Sequence, residues 1–405
     1  MFITLRRFCI ILIGLIGPGS LILPAQAHEG HQHASAGSSA KPRPVNKHLG
    51  LSASITPDGT LWTASVETGS AGEHVVLRHS TDSGKSWSPS RRVNLTPEPI
   101  AAKGEDIPKL AFGQQGQALV IWTRNGAKNH SGDVRYSYSA DGGKSWSLPA
   151  TLQQDQQPIA HRYANLVADP AGRFYISWID QRDAINTRAE GKSYRASALY
   201  YSVSQDGGKS WRSDSKLADH SCECCRLAMA LDSDGRPLVF WRQSFEQERD
   251  HALVKLDPDG NSAPFTRATF DGWKTESCPH QGPGLAVANG QRHAVWFNMV
   301  GNSGKVFYGR LNNGRVEGQL ALPEQAEHAT IAAVGDKVWL AWNSFDGKNN
   351  IIGGMHSSDG GQHWSQATRL ASSKLGVDQP RLLTQGNSAL LLWNTESGLV
   401  LKTLP

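Results

Sequence analysis

The sequence predicts an all-β chain: a single β-propeller of four-stranded antiparallel blades, seven in number, with six as the alternative. Three observations predict it. The pattern S-x-D-x-G-x-x-W occurs four times, as Ser80–Trp87, Ser139–Trp146, Ser204–Trp211 and Ser357–Trp364. Seven apolar segments each carry a tryptophan, at Trp62, Trp122, Trp178, Trp241, Trp296, Trp342 and Trp393, spaced 46 to 63 residues apart. The 405 residues include 41 glycines and 13 tryptophans. With no long helical periodicity, that composition points to short strands joined by tight turns.

Each element follows from its residues. In the repeated octapeptide, the aspartate side chain can accept hydrogen bonds from the turn's own backbone N–H groups. The glycine can take a positive φ that other residues resist. The tryptophan opens the next strand with a large ring to bury. The tryptophan-bearing strands, such as ALVIW at 118–122 and VWLAW at 338–342, read as apolar strands with buried faces. Several follow Asp-Gly or similar hairpin turns, at Asp58-Gly59, Asp234-Gly235 and Gly335-Asp336. Blades one, two, three and six keep the full octapeptide, whereas Asp257-Pro258-Asp259-Gly260 and Asn312-Asn313-Gly314 replace it in blades four and five. The seventh module, from Gln379 to Pro405, has room for three strands, and the segment before Leu49 is expected to supply the fourth.

The octapeptide is the aspartate box, and the chain resembles the sialidase-like, box-repeat (BNR) β-propellers over nearly all of residues 49–405. The region from Cys222 to Pro283 resembles an exported subset that pairs a C-x-C-C segment with a later W-x4-C-P-x-x-G-P segment, here Trp273 to Pro283. The wider resemblance implies an enzyme of sialidase type, with an Arg-Ile-Pro motif, an arginine triad for the substrate carboxylate and a Tyr/Glu nucleophile pair. No Arg-Ile-Pro occurs in the chain. Arg162, Arg182, Arg226 and Arg242 are anion-binding candidates, and Tyr163, Glu105, Asp180 and Asp183 are acid–base candidates. None sits in the family's motif, so no catalytic residue is carried over.

Residues 1–27 read as a secretory signal: Arg6 and Arg7, an apolar run from Cys9 to Ile16, then Ala25-Gln26-Ala27 as a cleavage site. Export to the periplasm, or secretion, follows, and no later segment is long and apolar enough to span a membrane. Residues 28–48 form a histidine-rich tail and linker, opening with His28, His31 and His33, and residues 49–405 form the propeller. The formal net charge of +5 falls to +3 without Arg6 and Arg7, and no basic stripe marks a nucleic-acid partner.

In a propeller, the connections that lead into each blade return to the central channel and carry ligand-binding side chains. One holds Cys222-Glu223-Cys224-Cys225 and the next holds Cys278-Pro279-His280. Adjacent blades place these two segments side by side, with His161, Arg162, Arg226, Trp273 and His328 as further residues of that face. Three outcomes are open for the cysteines: disulfides, as an oxidising compartment favours; a thiolate and imidazole site for a soft metal; or one disulfide beside a remaining pair of thiols. The preferred reading is a soft-metal site, copper before zinc, with ligands from Cys222, Cys224, Cys225, Cys278 and His280. In that reading His28, His31 and His33 form a capture tail, and the role is non-catalytic metal delivery, storage or tolerance, with another envelope protein as partner. The alternative is a sialidase-like glycoside hydrolase, or a carbohydrate-binding propeller, with the cysteines as disulfides.

Overall fold

The structure, a computed structural model, describes residues 49–275, 279–301 and 303–405. Among them the strands form seven consecutive antiparallel meanders, each following chain order. The first six meanders have four strands each and the last has three, Arg381–Gln385, Ser388–Thr395 and Gly398–Leu404. The third and fourth meanders are joined into one eight-stranded sheet through the pairing of Ser221 with Gln243. The expected fourth strand from before Leu49 lies outside the described residues.

The first strands of successive meanders pack against one another in sequence, and the first strand of the last meander packs against Ser52–Ile55 of the first. That contact pattern is a closed ring. The chain is a β-propeller, and its inner wall is made by the first strands.

The tryptophan-bearing segments are the second strands, and their indoles are the buried centre of each meander. Trp122, Trp178, Trp241, Trp296 and Trp393 are essentially inaccessible to solvent. Burying a ring of this size removes 150–250 Å² from water, which makes these side chains the largest single contributions to the core.

The aspartate boxes are closed by their own side chains. In the second meander Ser139 Oγ donates to Asp141 Oδ1 at 2.7 Å, and the Gly143 N–H donates back to Ser139 Oγ at 2.8 Å. The Ser145 N–H and hydroxyl both donate to the Asp141 carboxylate, at 2.9 and 2.6 Å. Gly142 and Gly143 have φ of 73° and 83°, the left-handed region that glycine enters without strain.

One expectation is corrected here. The box tryptophan does not open a strand: it lies in the extended segment before the short fourth strand, and it is half-buried. Its ring packs on the preceding meander instead. Trp146 joins the cluster of Trp62, Trp211 meets Tyr136 edge-on at 5.5 Å, and Trp364 meets Tyr308 edge-on at 4.6 Å. Trp87 of the first meander packs with Leu390, Leu392 and Leu401 of the last. The boxes therefore cement neighbouring meanders together as well as turning the chain.

The short helix Arg182–Ala189, which the sequence pattern did not single out, follows the second strand of the third meander. It packs on the third strand, Ser197–Ser204, where the Tyr200 hydroxyl donates to Asp183 at 2.7 Å.

Candidate functional site

The connection into the fourth meander carries the three cysteines. Its start is fixed by backbone pairing, with the Cys222 N–H donating to the Arg242 carbonyl at 3.0 Å. The loop then turns inward, burying Cys222, Cys224 and Cys225 against Tyr163 of the third meander. The three Sγ atoms form a nearly equilateral triangle, with edges of 3.8 Å (222 to 224), 3.7 Å (222 to 225) and 3.9 Å (224 to 225). A guanidinium nitrogen of Arg249 lies 3.6 Å from Cys222 Sγ.

The sulfurs are not equivalent. Cys222 and Cys225 are free thiols, whereas Cys224 is disulfide-bonded. The contact from Cys225 lowers the pKa of Cys222 below the usual thiol range; burial opposes this, and the positive charges of Arg242 and Arg249 add to it. The same contact, together with burial, pushes Cys225 up.

Such a triangle could hold a metal ion. With metal–sulfur bonds of about 2.3 Å, neighbouring sulfurs of a tetrahedral site stand about 3.8 Å apart, which is the spacing found. A sulfur tied up in a disulfide offers no thiolate, so the form with Cys224 oxidised presents two ligands and the reduced form three.

A carboxylate clasp holds this loop to the rest of the channel mouth. Glu105, buried in the connection into the second meander, accepts the Arg226 backbone N–H at 3.1 Å and its guanidinium at 2.8 Å. It also accepts the Gly282 N–H at 3.1 Å and Gln379 Nε2 at 3.0 Å, and His328 Nδ1 lies 3.3 Å away. One side chain thus ties together the connections into the second, fourth, fifth and seventh meanders and the first strand of the sixth. Burial alone would raise its pKa; Arg226 and His328 outweigh burial and hold the carboxyl ionised well below the ordinary glutamate range.

The sequence-derived candidates fall into separate groups. Arg226 and His328 sit in the Glu105 clasp. Gln281 and Gly282, just beyond His280, approach the cysteine loop through Arg242 and Glu105, so the two connections do meet on one face. Cys278 itself, with residues 276 and 277, lies outside the described residues, as do His28, His31 and His33. Arg162 is committed to Asp106 at 3.0 Å and to Asn125. His161 is fully buried, with Nδ1 2.9 Å from Asp180 and Nε2 3.5 Å from Asp155. Trp273 is buried with the Arg242 guanidinium 5.1 Å over its ring, so its face packs against protein and does not offer a stacking surface to a sugar.

Tyr163, His280 and His328 have positive φ of 56°, 50° and 50°. Two of them coincide with register shifts in the first strands of their meanders. Left-handed backbone at non-glycine residues is costly and gathers where side chains must be aimed.

Several contributors were not legible in the sequence. Arg249 lies in a strand with no motif around it, and Gln379 looks like an ordinary polar residue. A cavity of about 850 Å³ beside the loop is lined by His220, Gln243, Phe245, Glu248, Arg267 and Lys274 among others, and pattern reasoning gave no signal for it.

Comparison with known proteins places the fold. A BNR repeat-like domain matches residues 41–239. No curated protein matches the chain. Among solved structures, a PL25 polysaccharide lyase, an ulvan lyase bound to -[GlcA(1-4)Rha3S]-, is similar with a TM-score of 0.57 at 12% identity, covering 89% of this chain and 93% of that one. An α-L-arabinofuranosidase from Fusarium graminearum is similar with a TM-score of 0.50 at 14% identity, covering 79% of this chain and 96% of that one. A Hadza microbial sialidase gives a TM-score of 0.48 at 14% identity, covering 85% and 76%. At such identities the likeness concerns the fold.

Proposed function

We propose that this sialidase-like β-propeller, which matches a BNR repeat-like domain over residues 41–239, is an exported protein that binds a soft metal ion, copper first and zinc as the alternative, in a non-catalytic role of delivery, storage or tolerance. The observation that carries the proposal is the buried triangle of Cys222, Cys224 and Cys225, with the sulfur spacing of a thiolate metal site. Thiolates select soft ions such as Cu(I) and Zn(II) over hard ones. The three cysteines are the primary donors, with Cys278 and His280 on the facing connection as further candidates, and His28, His31 and His33 act as a capture tail. Delivery requires a second envelope protein to receive the ion.

The loading step includes reduction of Cys224: a dithiol reductant gives two electrons, the disulfide takes them and two protons, and the freed thiol completes the triangle. The paired arginines favour binding over glycoside hydrolysis. Arg162 and Arg226 already sit on Asp106 and Glu105, so neither is open to a substrate carboxylate.

The test is thiol counting and metal analysis on protein purified anaerobically from the periplasm. Denatured without reductant, the chain should alkylate at Cys222 and Cys225 and not at Cys224. After reduction it should take up one equivalent of Cu(I), and Cys225→Ser should abolish tight uptake while leaving the propeller folded. A reduced protein that takes up no metal refutes the proposal. Hydrolysis of a fluorogenic sialoside that is lost on changing Tyr163 would establish the enzyme instead.

A further inference from the structure

We propose that Arg242 and Arg249 fix the charge of the complex this cluster accepts: a monovalent soft ion held by the three thiolates of Cys222, Cys224 and Cys225. The inference rests on the metal-binding reading above and goes further, to the ion's charge class.

The two guanidiniums are unusual in this molecule. Arg242 is 1% exposed and Arg249 is 9% exposed, and neither has a carboxylate partner among the described residues. Arg242 donates only to neutral acceptors: Asn298 Oδ1 at 2.9 Å, the Gln281 carbonyl at 3.2 Å and the Phe297 carbonyl at 2.6 Å. Arg249 points a terminal nitrogen at Cys222 Sγ. The Nε of each is buried without a hydrogen-bond partner. Other part-buried arginines, Arg162, Arg182, Arg226 and Arg267, each sit on a carboxylate. Buried acids of the same region are already engaged: Asp250 by Arg267, Asp271 by Trp296, Asn298 and Gln319, and Glu105 by Arg226.

A buried, unpaired charge is costly, so two of them on the strands beside the cysteine loop point to a compensating negative charge at the cluster. Three thiolates around a monovalent ion carry a net −2, which balances two guanidiniums. The same thiolates around a divalent ion carry −1 and leave one guanidinium uncompensated. If the arginines merely helped the thiols to deprotonate, they would aid every metal equally. If they match the charge of the complex, they favour the monovalent ion.

The experiment measures Cu(I) and Zn(II) affinities of the reduced protein by competition with chromophoric chelators, for wild type, Arg249→Met and Arg249→Lys, with circular dichroism to verify folding. Arg249→Met should weaken Cu(I) by roughly tenfold or more, the scale of one close charge in a partly screened interior, and change Zn(II) by less than about threefold. Arg249→Lys should keep most of the Cu(I) affinity. Equal losses for both ions, or an unchanged Cu(I) affinity, overturn the inference and leave metal binding standing. Wild-type protein that binds neither ion overturns both. Copper-edge X-ray absorption on the loaded wild type needs no variant to fold: three sulfur neighbours are expected, and any other count refutes the tris-thiolate complex.

Discussion

Replacing Glu105 by glutamine is the sharpest perturbation of the channel mouth. The substitution keeps the shape and removes the charge. Glu105 accepts hydrogen bonds from Arg226, Gly282 and Gln379, so either orientation of the new amide turns its NH2 group towards a donor, and Arg226 loses its carboxylate. Removing one partner of a buried ion pair costs about 3–5 kcal/mol. At roughly 2 °C per kcal/mol for a chain of this size, the melting temperature should fall by about 6–10 °C. The loss should appear locally first, because Arg226 directly follows Cys225. Alkylation of Cys222 and Cys225 in the folded protein should speed up by at least about tenfold as that loop opens more often. Arg226→Met should act the same way, and the double variant should cost less than the sum of the singles. The pH dependence carries a sign: the folded carboxyl is held below its ordinary value, so its contribution is complete above about 4.3 and is lost as pH falls. The variant should lack that acid-side loss. A melting temperature within about 1 °C of wild type, with unchanged thiol reactivity, would refute the clasp.

Three further outcomes are expected. Trp146→Ala should cost about 2 kcal/mol, less than a fully buried tryptophan, by uncoupling the second meander from the first; a loss under about 0.5 kcal/mol in chemical denaturation would contradict the cementing role. Gly143→Ala should cost about 1–2 kcal/mol, because its φ is 83° and an added Cβ would lie 3.1 Å from the Trp62 ring; an unchanged denaturation midpoint would refute it. Burial lowers Lys109 to about 8, so between there and about 10.4 the unfolded chain holds a proton that the folded one has released. Wild-type stability should therefore rise with pH across that window relative to Lys109→Met, and parallel stability curves for the two would show that Lys109 titrates normally.

The fold was legible because each of its devices is local. The box closes within eight residues through Ser139, Asp141 and Ser145, and the second strand announces itself by an apolar run ending in tryptophan. The packing of box tryptophans on the preceding meander was not legible, since Trp146 and Trp62 are joined by no local pattern. The cysteine loop could be found by composition and by its place before a strand. Its electrostatics could not: Arg242 and Arg249 reach it from the second and third strands of the fourth meander, and only the pairing register brings them there. Glu105 was visible as a loop acid, but its partners Gly282 and Gln379 stand 177 and 274 residues away.

Trp87 leans on Leu390 and Leu401, so the earliest repeat finishes the latest one. No repeat is a cap, and a chain shortened by one unit would be an open arc with an uncovered indole at one lip and an empty leucine groove at the other. Evolution can lengthen or trim such a molecule only by steps that let the two lips find each other again, which ties the width of the channel, and the spacing of whatever its rim grasps, to a whole number of repeats.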